Sequence, residues 1–183
     1  MYTPGPGMLL IAEPFLKDPN FTRTVILVCE HKEEGSFGFI LNRKYDLTLE
    51  ELIPDLDGLN HVVSVGGPVQ RDTIHFLHQY PALIPGGTEL KDGIFWGGDF
   101  NLATRLLREE KIDPARIRFF VGYSGWTDGQ LEEEIKEKSW LVTPANRRLV
   151  FTNNPEDAWK QSLRDMGGEY EILVNSPLDP SLN

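Results

Sequence analysis

The run Thr24-Val25-Ile26-Leu27-Val28-Cys29-Glu30 constrains the chain most, because its apolar residues follow one another without the polar alternation of a half-exposed strand. A strand of that kind has to be covered on both faces, so it belongs inside a sheet with material packed on each side. After the polar break Lys32-Glu33-Glu34-Gly35 comes Ser36 to Asn42, whose Phe37, Phe39 and Leu41 share one face. This predicts a hairpin with the first run. Gly38, inside the second strand, marks a bulge or a close backbone approach.

Other segments add to this sheet. Met8 to Ala12, Val62 to Val65, Thr73 to Leu77 and Ile94 to Trp96 read as strands between turn-forming residues, with Asp18-Pro19-Asn20 turning ahead of the hairpin. Thr48 and Glu51 have capping-box spacing for a short helix over Leu49, Leu52 and Ile53. Asp99 caps a helix that aligns Phe100, Ala103, Leu106 and Leu107, with Asp113-Pro114 at its exit. Phe119 to Val121 is a strand, and Gly122, Gly125 and Gly129 then read as a sharp turn. Thr127 and Gln130 repeat the capping box, so a helix should start at Asp128 and pack through Leu131 and Ile135.

Trp140 to Thr143 returns to the sheet, and Arg148 to Phe151 is ambiguous. Asn154, Pro155 and Gly167 bound a last helix packed through Trp159, Leu163 and Met166. Glu169 to Val174 reads as a final strand and 175–183 as a loosely anchored tail. Strands outnumber helices and occur in succession, which gives an α+β fold with a mixed, mainly antiparallel sheet. No linker interrupts the 183 residues, so 1–183 reads as a single domain.

Composition narrows the function. Cys29 is the only cysteine, which fits a reducing compartment, and no basic leader or long apolar segment stands near the N-terminus. A cytoplasmic protein without a membrane partner is expected. The net charge of -10 repels nucleic-acid phosphates and disfavours direct nucleic-acid binding.

Several residues invite a chemical reading. Ser124 lies in Gly122-Tyr123-Ser124-Gly125-Trp126, yet a nucleophile elbow needs glycine where Trp126 stands. Cys29 and His31 share a face if their strand is regular, although a thiol flanked by Leu27 and Val28 is commonly inert core. His75 and His78 would meet on a helix, whereas a strand sends them to opposite faces. Gly66-Gly67 and Gly97-Gly98 read as tight turns rather than phosphate cradles, and Asp99 opposes an anion at the second. Trp96, Tyr123, Trp126 and Trp140 suit core or groove walls. No metal or cofactor pattern is present, and none is expected.

Together, Leu9-Leu10-Ile11-Ala12, Asp18-Pro19-Asn20-Phe21-Thr22-Arg23-Thr24, Glu30-His31, Gly38 to Arg43, Gly66-Gly67-Pro68-Val69, Phe76-Leu77-His78 and Gly122 to Trp126 through Gly129-Gln130-Leu131-Glu132 resemble the AlgH/YqgE family of bacterial proteins. The ordered match runs from Gly7 to Leu141, and it departs from the family pattern at Ser36 and Lys44. The resemblance implies a bent sheet closing into a pseudo-barrel flanked by helices. It also implies a family described as transcriptional regulators, without a secure activity or established catalytic residues.

The leading expectation is therefore a non-enzymatic regulatory or adaptor protein that binds a small ligand or a protein partner. A hydrolase using Asp18, Glu30 or His31, with Arg23 holding an anion, is the alternative, and direct DNA binding is a weaker one. In an antiparallel hairpin the second strand ends beside the start of the first. Asp18, Asn20, Arg23, Asn42 and Arg43 should then cluster, with Tyr123, Trp126 and Gln130 as walls and donors of an adjoining pocket and His31 at the far end. Ligand identity and oligomeric state stay open.

Overall fold

The structure, a computed structural model, describes residues 1–178. In chain order its strands are β1 (Met8–Ala12), β2 (Val25–Lys32), β3 (Gly35–Ile40), β4 (Lys44–Thr48), β5 (Val62–Val65), β6 (Val69–His78), β7 (Thr88–Glu89), β8 (Phe95–Trp96), β9 (Ile117–Thr127) and β10 (Trp140–Pro144). The helices are α1 (Leu49–Leu52), α2 (Phe100–Arg108), α3 (Gln130–Lys136), α4 (Arg147–Val150), α5 (Ala158–Met166) and α6 (Glu169–Leu173). The strands form one sheet ordered β10-β1-β2-β3-β9-β6-β8-β7, with β5 joining β4 to β9. Among the described residues only the β5–β9 pairing is parallel. The fold is thus α+β with a mixed, mainly antiparallel sheet, and among the described residues it stays open, without the closure into a pseudo-barrel that the resemblance implies, because the ends of its path, β10 and β7, do not pair.

The uninterrupted apolar runs do what their composition requires. Leu9, Ile11, Val25, Leu27 and Cys29 face one core, closed by Leu149 and Val150 of α4 and by Trp159 and Leu163 of α5. Leu10, Ile26 and Val28 face another, closed by Leu131 of α3 with Trp126 and Trp140. A third core sits under α2, where Ala103, Leu106 and Leu107 meet Phe119, Val63 and Phe76. Fully burying an aliphatic side chain contributes roughly 1.5–3 kcal/mol. This two-sided burial makes the β1–β2–β3 unit the rigid base for the ends of the hairpin.

The hairpin register slips between Val28 and Glu30, so Cys29 is an extra residue in β2. A Cβ on Gly38 would lie 2.2 Å from the Leu27 carbonyl oxygen, the close approach foreseen for that glycine.

Some sequence expectations are corrected. Gly122 to Trp126 is not a turn: β9 runs straight through it to Thr127. Gly122 adopts φ 67, and Gly67 lies so near that a side chain there would strike the Tyr123 carbonyl at 2.1 Å. The two glycines let β9 pass the start of β6 without leaving the sheet. The helix expected from Asp128 begins at Gln130, with the left-handed Gly129 as its cap. Glu169 to Val174 is no strand but the helix α6, packed on α5. The ambiguous stretch from Arg148 is part of α4, capped by Asn146. Pro155 opens a short 3-10 turn before α5 rather than α5 itself, while Gly167 ends α5 as expected. Of the expected tail, 175–178 is described and is tied down through Ser176, while 179–183 lies outside the described residues.

Candidate functional site

The mouth of the β2–β3 hairpin brings two of the expected arginines together. Asp18 starts a tight turn in which its Oδ1 accepts from the Asn20 amide at 2.9 Å and its carbonyl accepts from Thr22 at 2.8 Å. This turn delivers Arg23 at φ 52 into β2. Asn42, buried at the end of the hairpin, bridges the mouth: its Oδ1 accepts from the Val25 amide at 2.9 Å and its Nδ2 donates to the Arg23 carbonyl at 2.8 Å. Arg43 donates to the Thr22 carbonyl. Asn42 and Arg43 therefore adjoin Arg23, and His31 lies at the opposite end, where its Nδ1 is 2.6 Å from Ser36 Oγ and its Nε2 3.2 Å from Glu132.

The two arginines are used differently from a bare anion clamp. The Arg23 guanidinium lies over the Trp159 ring at 4.7 Å and donates to the Ser176 carbonyl, which ties the C-terminal helices to the start of β2. Burial lowers the pKa of Arg43. Asp18 makes no ion pair with either among the described residues, because its carboxylate serves its own turn.

The expected wall divides. Trp126 at the end of β9 and Gln130 at the start of α3 meet at Glu134 of α3, which accepts from Trp126 Nε1 at 2.8 Å, Trp140 Nε1 at 2.8 Å and Gln130 Nε2 at 3.0 Å. Tyr123, three residues from Trp126 on one strand, faces the other core beside Phe37. The acid–base candidates divide as well: Asp18 lies at the mouth, whereas Glu30 pairs with Lys32 at 3.1 Å near the hairpin turn. Ser124 is fully buried and donates to the Gly66 carbonyl at 3.0 Å. Burial, and secondarily Glu30, pushes the Cys29 thiol well above its ordinary pKa. His75 and His78 point to opposite faces of β6, toward Phe39 and Phe95 respectively.

Next to the mouth lies a cleft of about 390 Å³ that the sequence did not disclose. The pairing of Lys44 with Ser64 and the parallel pairing of Ser64 with Phe120 bring β4, β5 and β9 side by side beneath it. Arg118 lines the cleft and donates to the carbonyls of Val150 and Leu41 at 2.7 Å each and to Ser64 Oγ at 2.8 Å. All three acceptors are neutral, and burial pulls its guanidinium down to about 10. These bonds leave part of its five-donor fork unspent. His61 also lines the cleft, edge-on to Phe119 at 6.4 Å, and both of its ring nitrogens are buried without a partner. Its pKa is lowered by burial, so the ring is neutral near pH 7.

Lys44 completes the set, and Glu156 is the one carboxylate on the lining. Among the described residues neither Lys44 nor Arg118 takes part in an ion pair. Arg118, half-buried, meets the face of the Phe120 ring at 5.0 Å but no carboxylate, and orphaned buried nitrogens such as those of His61 are uncommon. An anion in the cleft would answer both.

Three comparisons fit this architecture. The model of the DUF179, AlgH-like family matches residues 9–171. The UPF0301 protein of Chlorobium limicola is 48% identical over 178 residues, covering 97% of this chain and 95% of that one. That of Cytophaga hutchinsonii is 41% identical, covering 97% and 98%. Among solved structures, protein DIP2367 of Corynebacterium diphtheriae superposes with a TM-score of 0.81 at 25% identity, over 96% of this chain and 94% of that one. The solution structure of the AlgH protein of Pseudomonas aeruginosa gives 0.74 at 28% identity, over 97% of each chain.

Proposed function

The chain belongs to the AlgH-like family, and we propose that it is a non-enzymatic regulatory or adaptor protein of the cytoplasm whose cleft beside Arg118 receives a small anion. One observation carries this reading: a half-buried guanidinium that meets only neutral oxygens and the face of the Phe120 ring shares a cleft with a histidine whose two nitrogens lack partners. Phosphate or carboxylate oxygens would accept from the unspent Arg118 donors and from His61, with Lys44 adding charge at the rim. The separation of Asp18 from Glu30 and His31 supports binding over hydrolysis, because acid–base work needs those groups within reach of one substrate. The net charge of -10 opposes a nucleic-acid duplex, whereas a small anion meets only the local field of the cleft.

A thermal-shift screen of inorganic phosphate, pyrophosphate, organic phosphates and small carboxylates tests the proposal. A ligand at ~100 times its dissociation constant stabilises by about 2.7 kcal/mol. At about 2–4 °C per kcal/mol for a chain of this size, the midpoint rises by roughly 5–10 °C. Lys44→Gln, an exposed substitution, should shrink the shift. A screen in which no anion raises the midpoint, or a hit indifferent to Lys44→Gln and His61→Ala, would reject the cleft as the site.

A further inference from the structure

The turn end of the hairpin, away from the anion cleft, carries a second and oppositely charged depression of about 610 Å³. Its walls are aromatic. Phe37 of β3 meets Trp96 of β8 edge to face at 4.8 Å and Tyr123 of β9 at 5.8 Å, and His75 stands perpendicular to Tyr123 at 6.1 Å. All four rings stay partly exposed. The register explains their convergence: Phe37 pairs with Gly125, and the Tyr123 ring leans across the space that a side chain at Gly125 would contest, 3.4 Å from where its Cβ would stand.

The charged groups of the depression are of one sign. Glu30, paired with Phe37 across the hairpin, and Glu34 in the turn both line it, and no lysine or arginine does. Lys32 binds Glu30 from the side at 3.1 Å, which leaves Glu34 without an ion pair among the described residues. His75 adds no positive charge near neutral pH, since burial lowers its pKa. The Tyr123 hydroxyl and the Trp96 indole N–H have no hydrogen-bond partner among the described residues, so the rim can also donate and accept.

Partly exposed aromatic rings beside carboxylates suit one ligand chemistry above others. An anion is repelled by Glu34 and Glu30, and a neutral apolar group leaves Glu34 unanswered. A weakly hydrated cation places its methyl groups on the rings and its charge between the carboxylates. The net charge of -10 draws such a ligand in from a distance. We propose that this depression binds a methylated ammonium group, carried either by a free small molecule or by a modified lysine of a partner protein.

The test is a calorimetric titration of the full chain with choline, with its neutral isostere 3,3-dimethylbutan-1-ol, and with a short peptide bearing trimethyllysine. Saturable binding of choline or the peptide at ~1 mM or tighter is expected, with no saturable heat from the neutral isostere. Glu34→Gln should weaken binding about fivefold without altering the fold, and Trp96→Ala should weaken it at least as much. Lys44→Gln, in the anion cleft, should leave it unchanged. Tighter binding of the peptide than of choline would place the ammonium on a protein, and comparable or tighter binding of choline would place it on a free molecule. Absence of saturable binding by both cations, equal binding of the neutral isostere, or indifference to Glu34→Gln would overturn the proposal.

Discussion

Asn42→Ala removes the buried amide side chain that, with Arg43, bridges the mouth of the hairpin, and its cost can be worked from the two bonds it breaks. The Val25 amide, in a residue with 0% exposure, loses its acceptor at 2.9 Å, and an orphaned buried donor costs about 1–3 kcal/mol. The Arg23 carbonyl loses a donor at 2.8 Å, a bond worth about 0.5–1.5 kcal/mol net. Together the variant should be less stable by about 2–4 kcal/mol, a large share of the ~5–15 kcal/mol that holds a typical domain folded. Urea denaturation should show an earlier midpoint with an unchanged slope, and the melting temperature should fall by roughly 5–15 °C. Native-state hydrogen exchange adds a local readout, in which protection of the Val25 amide drops more than that of the β1 amides. A loss below ~0.5 kcal/mol, with Val25 still protected, would show that the bridge does not hold the mouth and that the arginines are positioned otherwise.

Other consequences can be checked separately. Cys29 should react with a thiol reagent far more slowly in the native protein than in denaturant, because burial holds its thiol protonated; equal rates would contradict its place in the core. Burial lowers the pKa of His61, His75 and His78, so the unfolded chain takes up their protons first. Their contribution to stability should be present above the unfolded value near ~6.5 and be lost as pH falls below it. For His78 burial outweighs the Gly97 carbonyl, which lies 2.9 Å from Nε2 and favours the protonated ring, while Nδ1 accepts from the Tyr80 amide at 3.1 Å, a bond that only the unprotonated nitrogen can make. A urea midpoint that stays flat from pH 8 to about 5.5 would refute this linkage. The purified protein should show no specific duplex DNA affinity near ~10⁻⁸ M at physiological salt, and a band shift of that strength would reverse the electrostatic argument.

What the sequence disclosed and what it hid have physical reasons. β1, β2 and β3 were legible because continuous or one-faced apolar runs have few other ways to be buried. The length of β9 was hidden by its glycines, which read as breaks but here allow a close crossing of backbones. Glu169 to Leu173 is five residues long, too short for its period to distinguish strand from helix, and its packing on α5 decides the outcome. The meeting of Arg23, Asn42 and Arg43 followed from hairpin geometry alone. Arg118 was hidden inside an apolar strand: its partners at Leu41, Ser64 and Val150 come from three distant segments. The one local signal was a lone arginine beside Phe119 and Phe120, which a buried strand does not carry without a use for it.

His61 offers the most direct measurement of the anion cleft. Its ring signals can be followed by NMR from pH 8 to 5, with and without ~10 mM inorganic pyrophosphate. An anion beside the ring favours the imidazolium, so pyrophosphate should raise the His61 pKa from its burial-lowered value, and proton uptake should make binding tighter as pH falls. Lys44→Gln should reduce that rise. A His61 titration curve that pyrophosphate leaves unmoved, in a protein whose fold and other histidine signals are intact, would contradict the cleft as an anion site.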